Sequence, residues 1–365
     1  MDKTKNAPAA DAPAPAPAGR VGPKGVSNLS QAHYRLFFWG IAGLLVLVFG
    51  ASLALGRYSI PFFDSFKIVL SRIFPIPVTW ENVPDAVVMD LRLPRTIAAA
   101  VIGAALALSG ATYQSIFKNP MCSPDLLGVS SGACVGAALA ILAGAGSFAV
   151  QLGAFVGGCL AVFVTVLIPR LMRNESTTVL ILSGVVVSSF MGSIMSIIKF
   201  VADTDTELAE ITYWTMGSFA AVKMETMLPV LPTILLPLAV ILLMRYRLNV
   251  LSLGDNEARS LGINLQATRG AFIICSTLIS ASCVCLAGTI GWVGLIIPHV
   301  SRMLVGSDNK KMLPIALLLG SVFMVLIDIL CRTITAAELR IGILTGIIGA
   351  PFFVAILVKQ NRNMR

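Results

Sequence analysis

Ten long apolar runs, separated by polar residues or by Pro and Gly, constrain this chain more than any other feature. A helix needs about 20 residues to cross a bilayer, and nine of the ten runs are long enough. The tenth contains Pro298 and is either a short tilted span or half of a hairpin. The pattern predicts an all-α integral membrane protein with about ten transmembrane helices. The runs lie near 36–56, 96–117, 125–144, 148–169, 179–201, 227–244, 271–290, 291–305, 313–332 and 341–358.

Charged residues are too scarce for a soluble protein of 365 residues. They make up 12% of the chain, where soluble domains carry about 25%, and 56% of the residues are hydrophobic. A soluble enzyme, a nucleic-acid binder and a disordered scaffold are therefore poor interpretations. The net charge of +9 is better explained by basic residues at the cytoplasmic face of a membrane than by a nucleic-acid partner.

The placement of the basic residues predicts the orientation of the chain. With a cytoplasmic N-terminus, 18 of the 27 Lys and Arg residues fall on the cytoplasmic side and nine fall outside. Ten of the 18 acidic residues fall outside. Because cytoplasmic loops of membrane proteins are enriched in Lys and Arg, both termini are predicted to be cytoplasmic.

The N-terminal region differs from the rest of the chain. Residues 7–19 are almost entirely Ala and Pro, a composition that cannot form a packed core. We therefore predict a disordered cytoplasmic tail over residues 1–35, to which we assign no function, followed by one transmembrane domain over residues 36–360.

The chain carries no motif for chemistry of its own. It has no GxxxxGK[ST] phosphate loop and no metal-ligand spacing among its seven Cys and two His residues. We expect no catalytic residue, no metal and no cofactor in this chain, and any ATP hydrolysis must occur in a partner. Asp328 and Lys199 are the charges expected within the membrane, which is few for an ion-coupled carrier. Asp328 is interpreted as a structural carboxylate near a helix end.

One cytoplasmic loop, near residues 250–268, has the features of a short helix. Gly254 and Gly262 punctuate it, and Asp255 and Arg259 have the i,i+4 spacing of an ion pair on a helix. The segment is either a solvated connector or a short helix that docks a cytoplasmic partner.

Four separated motifs resemble the FecCD-type permease family, the membrane subunits of type II ABC importers for iron-siderophores, haem and vitamin B12. The similarity covers about residues 36–360. The motifs are Leu91-Arg92-Leu93-Pro94-Arg95-Thr96 continuing to Pro124-Asp125-Leu126-Leu127-Gly128, the loop from Gly254 to Gly262, Gly288 to His299, and Ala337-Glu338-Leu339-Arg340-Ile341-Gly342 continuing to Phe353.

This resemblance implies a fold like that of the vitamin B12 importer permease and a place in a larger assembly. The expected partners are a second copy of the permease or a close paralogue, two cytoplasmic ATPase subunits, an extracytoplasmic substrate-binding protein and the lipid bilayer. No nucleic acid is expected. The expected location is the cytoplasmic (inner) membrane of a bacterium or archaeon.

The resemblance also implies roles for particular residues. Arg92, Arg95 and Arg332 correspond to arginines that dock carboxylates of the binding protein, a task that suits the guanidinium fork. The alternative for Arg92 and Arg95 is that they anchor a helix at the membrane interface. Arg340 stands where the family often has Pro and would add an outer charge beside Arg332. The residues expected to couple to the ATPase are Glu257, Ala258, Arg259, Ser260, Leu261 and Gly262.

No motif in the sequence identifies the cargo. A ferric siderophore is the leading expectation because it is the commonest cargo of the family, with haem and vitamin B12 as alternatives. An ion-coupled secondary transporter and a membrane scaffold without a transport function stay open as weaker interpretations.

Overall fold

A computed structural model describes residues 31–78, 80–174 and 176–364, and over these residues it contains helices and turns but no strand. The helices are α1 Gln31–Ala54, α2 Phe62–Leu70, α3 Asn82–Ile116, α4 Val129–Leu142, α5 Ser147–Leu171, α6 Thr177–Val201, α7 Glu207–Thr215, α8 Met224–Met227, α9 Leu231–Leu243, α10 Arg245–Leu253, α11 Asp255–Ser260, α12 Leu265–Ala287, α13 Val293–Val305, α14 Asn309–Ile334 and α15 Ile341–Met364.

Each of the ten predicted apolar runs contains one helix of the bundle. Helices α1, α3, α5, α6, α12 and α14 are long and apolar enough to span a membrane. Helices α9 and α10 are together long and apolar enough for one more span and are bent by 58° at the break between them, and α4, α13 and α15 contribute three shorter apolar helices. The prediction of an all-α membrane protein with about ten transmembrane helices is therefore confirmed.

Small residues bring several of these helices into backbone contact. Gly132 and Gly136 of α4 lie against Gly157 and Gly153 of α5, and a Cβ added to Gly136 would collide with the backbone oxygen of Gly153. Such contacts are typical of membrane helices, which gain stability from close packing and not from burial away from water. The glycine ladders of α4 and α5 thus form a contact within one chain.

The loops meet in two groups, as the predicted orientation requires. At the end predicted to face outward, Arg57 donates to the backbone oxygen of Thr335 at 2.8 Å. At the end predicted to be cytoplasmic, Asn249 donates to Asp308 at 2.6 Å. We call these the outer end and the inner end of the bundle.

Helix α1 begins earlier than the predicted boundary of the tail. Residues 31–35 of the predicted tail are the first turn of α1, because this stretch contains no Pro or Gly that would stop the helix from extending. Residues 1–30, which carry the Ala/Pro-rich stretch, lie outside the described residues.

Candidate functional site

The three arginines predicted to dock a binding protein lie together at the outer end, but under the surface. Arg92 and Arg95 come from α3 and Arg332 comes from the end of α14, and their exposed fractions are 4%, 7% and 5%. The docking role of these three arginines stays a prediction, and in the single chain their guanidinium groups lie below the surface. Each group is held by partners within the chain, which offset the cost of burying its charge.

Arg92 caps the end of α1. Its Nη1 donates to the backbone oxygens of Leu53 and Ala54, both at 2.8 Å, and its Nη2 donates to the backbone oxygen of Tyr58 at 2.5 Å. The last carbonyl groups of a helix lack partners within the helix, and a cation there also interacts favourably with the helix dipole. Arg92 thus joins α3 to the outer end of α1.

Arg95 and Arg332 share one buried carboxylate. The Nε of Arg95 donates to Asp328 Oδ1 at 2.6 Å, and the Nε of Arg332 lies 3.1 Å from Asp328 Oδ2. Arg95 also donates to Glu338 at 2.9 Å, and Arg332 donates to the Ser52 hydroxyl at 2.6 Å. Asp328 is fully buried near the end of α14, as expected of a structural carboxylate. We call these residues, Arg92, Arg95, Arg332, Asp328 and Glu338, the outer arginine cluster.

A cavity of about 260 Å³ opens onto this cluster. Its lining includes Arg57, Arg92, Arg95, Arg332 and Glu338, so four guanidinium groups surround a single carboxylate. Cavities lined by charge of one sign attract ligands of the other sign, and the lining of this one is mainly cationic. Sequence reasoning missed the part of Arg57, which lies just after the first span, and that of Glu338 in the last motif.

Arg340 does not extend the outer arginine cluster. Its guanidinium lies 4.8 Å from the ring centroid of Tyr213, and it lines a separate outer cavity of about 640 Å³. The expectation of an extra charge beside Arg332 is corrected, because the cation–π contact turns the side chain toward α7.

At the inner end, α11 and the two residues that follow it, Leu261 and Gly262, are the residues predicted to couple to an ATPase. Glu257, Arg259, Ser260, Leu261 and Gly262 are exposed, and Leu261 has an exposed fraction of 61%. Ala258 is fully buried, so it packs the helix onto the bundle and is not part of the exposed surface. Gly262 ends the segment with a positive φ of 75°, a conformation that favours glycine.

Two ion pairs fasten α11 to the bundle. The carboxylate of Asp255 accepts from Arg269 of α12 at 2.7 Å and from Lys118 at 3.2 Å. The i,i+4 spacing suggests Arg259 as the partner of Asp255, but the structure pairs Asp255 with Arg269 and Lys118. The hydrogen bond from Arg269, assisted by Lys118, holds the pKa of Asp255 below its usual value. The short helix is thereby linked to both α3 and α12.

Among the described residues, no group of three or more His, Cys, Asp or Glu side chains is placed to hold a metal ion. The seven cysteines are free thiols, and four of them are buried in the bundle. What the two ends offer is a cationic cavity outside and an exposed, firmly anchored helix inside.

Comparison with known proteins gives matches along nearly the whole chain. The family model described as the FecCD transport family matches residues 44–359. The molybdate import system permease protein MolB of Haemophilus influenzae is 36% identical over 90% of this chain and 97% of its own length. The cobalamin import system permease protein BtuC of Halobacterium salinarum is 35% identical over 88% of this chain and 87% of its own length.

A third relative and a solved structure agree with these matches. The hemin transport system permease protein HmuU of Yersinia pestis is 34% identical over 75% of this chain and 84% of its own length. A solved structure described as an inward-facing conformation of a metal-chelate type ABC transporter is 35% identical. It superposes with a TM-score of 0.80 over 89% of this chain and 100% of the matched chain.

Proposed function

Because this chain belongs to the FecCD transport family, we propose that it carries a ferric siderophore across the cytoplasmic membrane of a bacterium or archaeon. The chain is an integral membrane permease of the ABC importers for metal chelates, and it is not an enzyme. ATP hydrolysis belongs to a separate subunit of such an importer. The observation that carries the proposal is the match to transport permeases over about nine-tenths of the chain.

The choice of a ferric siderophore is supported by the class of cargo that the relatives' names describe. Two of the three relatives are named for cobalamin and hemin, which hold a metal in a large organic ligand, and the matched structure is of the metal-chelate type. A ferric siderophore belongs to the same class. Haem and vitamin B12 are the alternative cargoes, and they rest on these same names.

Uptake by cells distinguishes these cargoes. We expect a strain lacking this gene to lose uptake of a radiolabelled ferric siderophore, and expression of the intact chain to restore it. Uptake of labelled hemin, cobalamin and molybdate would be measured in the same two strains. Loss of hemin or cobalamin uptake with normal siderophore uptake would overturn the proposed cargo while leaving the family assignment intact.

We propose that the exposed surface of α11 receives the ATPase. Its exposed residues, including Glu257, Arg259 and Leu261, form a small mixed surface at the inner end. The buried Ala258 and the bonds of Asp255 to α3 and α12 support its transmitting force to the bundle. A rigid-body movement of the ATPase would then tilt these helices, as in other two-state transitions. In this assembly two permease chains pair with two ATPase subunits.

We propose that the outer cavity receives carboxylates of a substrate-binding protein. Glu338 has a side chain that is 33% exposed and already occupies one donor of Arg95, so an incoming carboxylate would compete with it. The exchange would replace one charge-assisted guanidinium–carboxylate bond by another of the same kind. Arg92 and Arg332 keep their internal partners and supply positive charge to the cavity.

Binding of the substrate-binding protein to the permease in nanodiscs tests this role. We expect Arg95→Gln to weaken binding roughly tenfold, as for the loss of one charge-assisted bond, and Glu338→Gln to strengthen it because the competitor is gone. Arg72→Gln is the matched control, since Arg72 is an exposed outer residue paired with Asp85. Unchanged affinity in both Arg95→Gln and Glu338→Gln would remove the cluster from the docking surface.

A further inference from the structure

A second cavity, of about 430 Å³, lies at the inner end between α5, α6, α11 and α12. It is distinct from the outer arginine cluster, and it shares Asp255 and Arg259 with the α11 segment that we propose receives the ATPase. One part of its lining is apolar and the other is basic. The apolar side chains are Ile116, Phe117, Val166, Leu180, Leu265 and Ile273.

The basic part of the lining carries a net positive charge. It contains Arg170 at the end of α5, Arg259 on α11 and Arg269 on α12, against the single carboxylate of Asp255. Asp255 already accepts hydrogen bonds from Arg269 and Lys118. The Nε of Arg269 is buried and has no hydrogen-bond partner among the described residues. The cavity therefore has more donors and more positive charge than its own residues use.

Two long helices add to this positive potential. Helix α6 starts at the cavity with Thr177, preceded by its N-cap residue Ser176, and α12 starts there with Leu265 and Gln266. The first N–H groups of a helix and the positive end of its dipole favour an anion. Two helices present their C-terminal ends to the cavity: α3, which ends at Ile116, and α5, which carries Arg170 in its last turn.

The apolar part of the lining reaches an exposed apolar face of α5. Val166 lies one turn from Phe163, whose exposed fraction is 62%. A small inorganic anion would need the arginines but would gain nothing from this surface. A molecule with an anionic head and an apolar chain would use both parts.

We propose that this cavity binds an anionic phospholipid of the cytoplasmic leaflet. The phosphate lies among Arg170, Arg259 and Arg269, and the acyl chain lies on the apolar residues of α5, α6 and α12. Because Arg259 is on α11, the lipid joins the α5–α6 hairpin to the short helix at the inner end. This inference is independent of the cargo that the permease carries.

Native mass spectrometry of the full-length chain in detergent tests the proposal. We expect phosphatidylglycerol to be retained in preference to phosphatidylcholine with the same acyl chains. Arg170→Gln should weaken retention of phosphatidylglycerol roughly fivefold, the usual effect of one basic residue near a membrane surface. The matched control is Arg173→Gln, because Arg173 is exposed three residues further on and does not line the cavity.

Several outcomes would overturn the proposal. Equal retention of the two lipids, or an equal loss in Arg170→Gln and Arg173→Gln, would show that no specific headgroup site exists. Competition by glycerol phosphate as effective as that by phosphatidylglycerol would make this a site for free anions. Should Arg170→Gln fold poorly, Arg259→Gln changes an exposed residue of the same cavity, and the same fivefold loss is expected.

Discussion

Replacing Asp328 with Asn tests directly whether the outer arginine cluster holds the bundle together. The carboxylate of Asp328 is fully buried between Arg95 and Arg332, at 2.6 and 3.1 Å. Removing one partner of a buried ion pair costs about 3–5 kcal/mol, because a buried charge is left without compensation. Arg95 keeps Glu338 and Arg332 keeps Ser52, so we expect the lower end of that range, about 3 kcal/mol.

Thermal unfolding of the purified protein, followed by circular dichroism in one detergent, measures this loss. A cost of about 3 kcal/mol corresponds to a fall in melting temperature on the order of 5 °C for a chain of this size. The control is Asp64→Asn, which breaks a surface pair with Lys67 at 3.5 Å and should cost less than about 1 kcal/mol. If the two variants unfold at the same temperature, the argument that the cluster is structural is refuted.

Three further predictions concern other parts of the bundle. Gly136→Leu should destabilise the protein by more than about 2 kcal/mol through a backbone clash between α4 and α5, whereas Gly192→Leu, in open space, should leave the melting temperature unchanged. Leu261→Asp should abolish binding of the ATPase in a pull-down. The control is Met172→Asp, which changes an equally exposed residue of the inner end and should leave binding intact. Equal binding by both variants would contradict the coupling role. The pKa of Asp255 is lowered, which gives the pH dependence of the ion pairs that hold α11 on the bundle. The stabilisation from these pairs is complete above the usual carboxyl pKa of about 3.9 and is lost as the pH falls through the lowered value. A spin label on α11 should therefore become mobile only at acidic pH in the intact protein, and at every pH in Asp255→Asn. A label that is equally immobile in both proteins would show that Asp255 does not hold α11 on the bundle.

The membrane helices could be predicted from the sequence because bilayer thickness fixes the length of an apolar run. Each predicted run contains a helix of the bundle, and helix α10, which carries Asn249, meets the loop that carries Asp308 at one end, as the charge bias requires. The glycines of α4 and α5 stand four residues apart in the sequence, as Gly132 and Gly136 do. That spacing does not identify the helix that they face, since a pattern in one helix carries no information about its partner.

The burial of the arginines could not be predicted in the same way. An Arg at the end of a span can be an interfacial anchor or a docking residue. Which of these two roles it has depends on the residues that pack over it in the fold. For Arg92 this is the end of α1, 39 residues earlier, and for Arg95 it is Glu338, 243 residues later. The partners of Asp255 were missed for the same reason, because local spacing favoured Arg259 over Arg269 and Lys118.

The central claim is that this chain is one subunit of a machine driven by ATP in another chain. Reconstitution into liposomes tests it most directly, with labelled ferric siderophore, its binding protein and ATP supplied together. We predict accumulation of the chelate only when the ATPase subunit is present and ATP is hydrolysed. Accumulation by liposomes that contain this chain alone, driven by a proton or sodium gradient, would contradict the account.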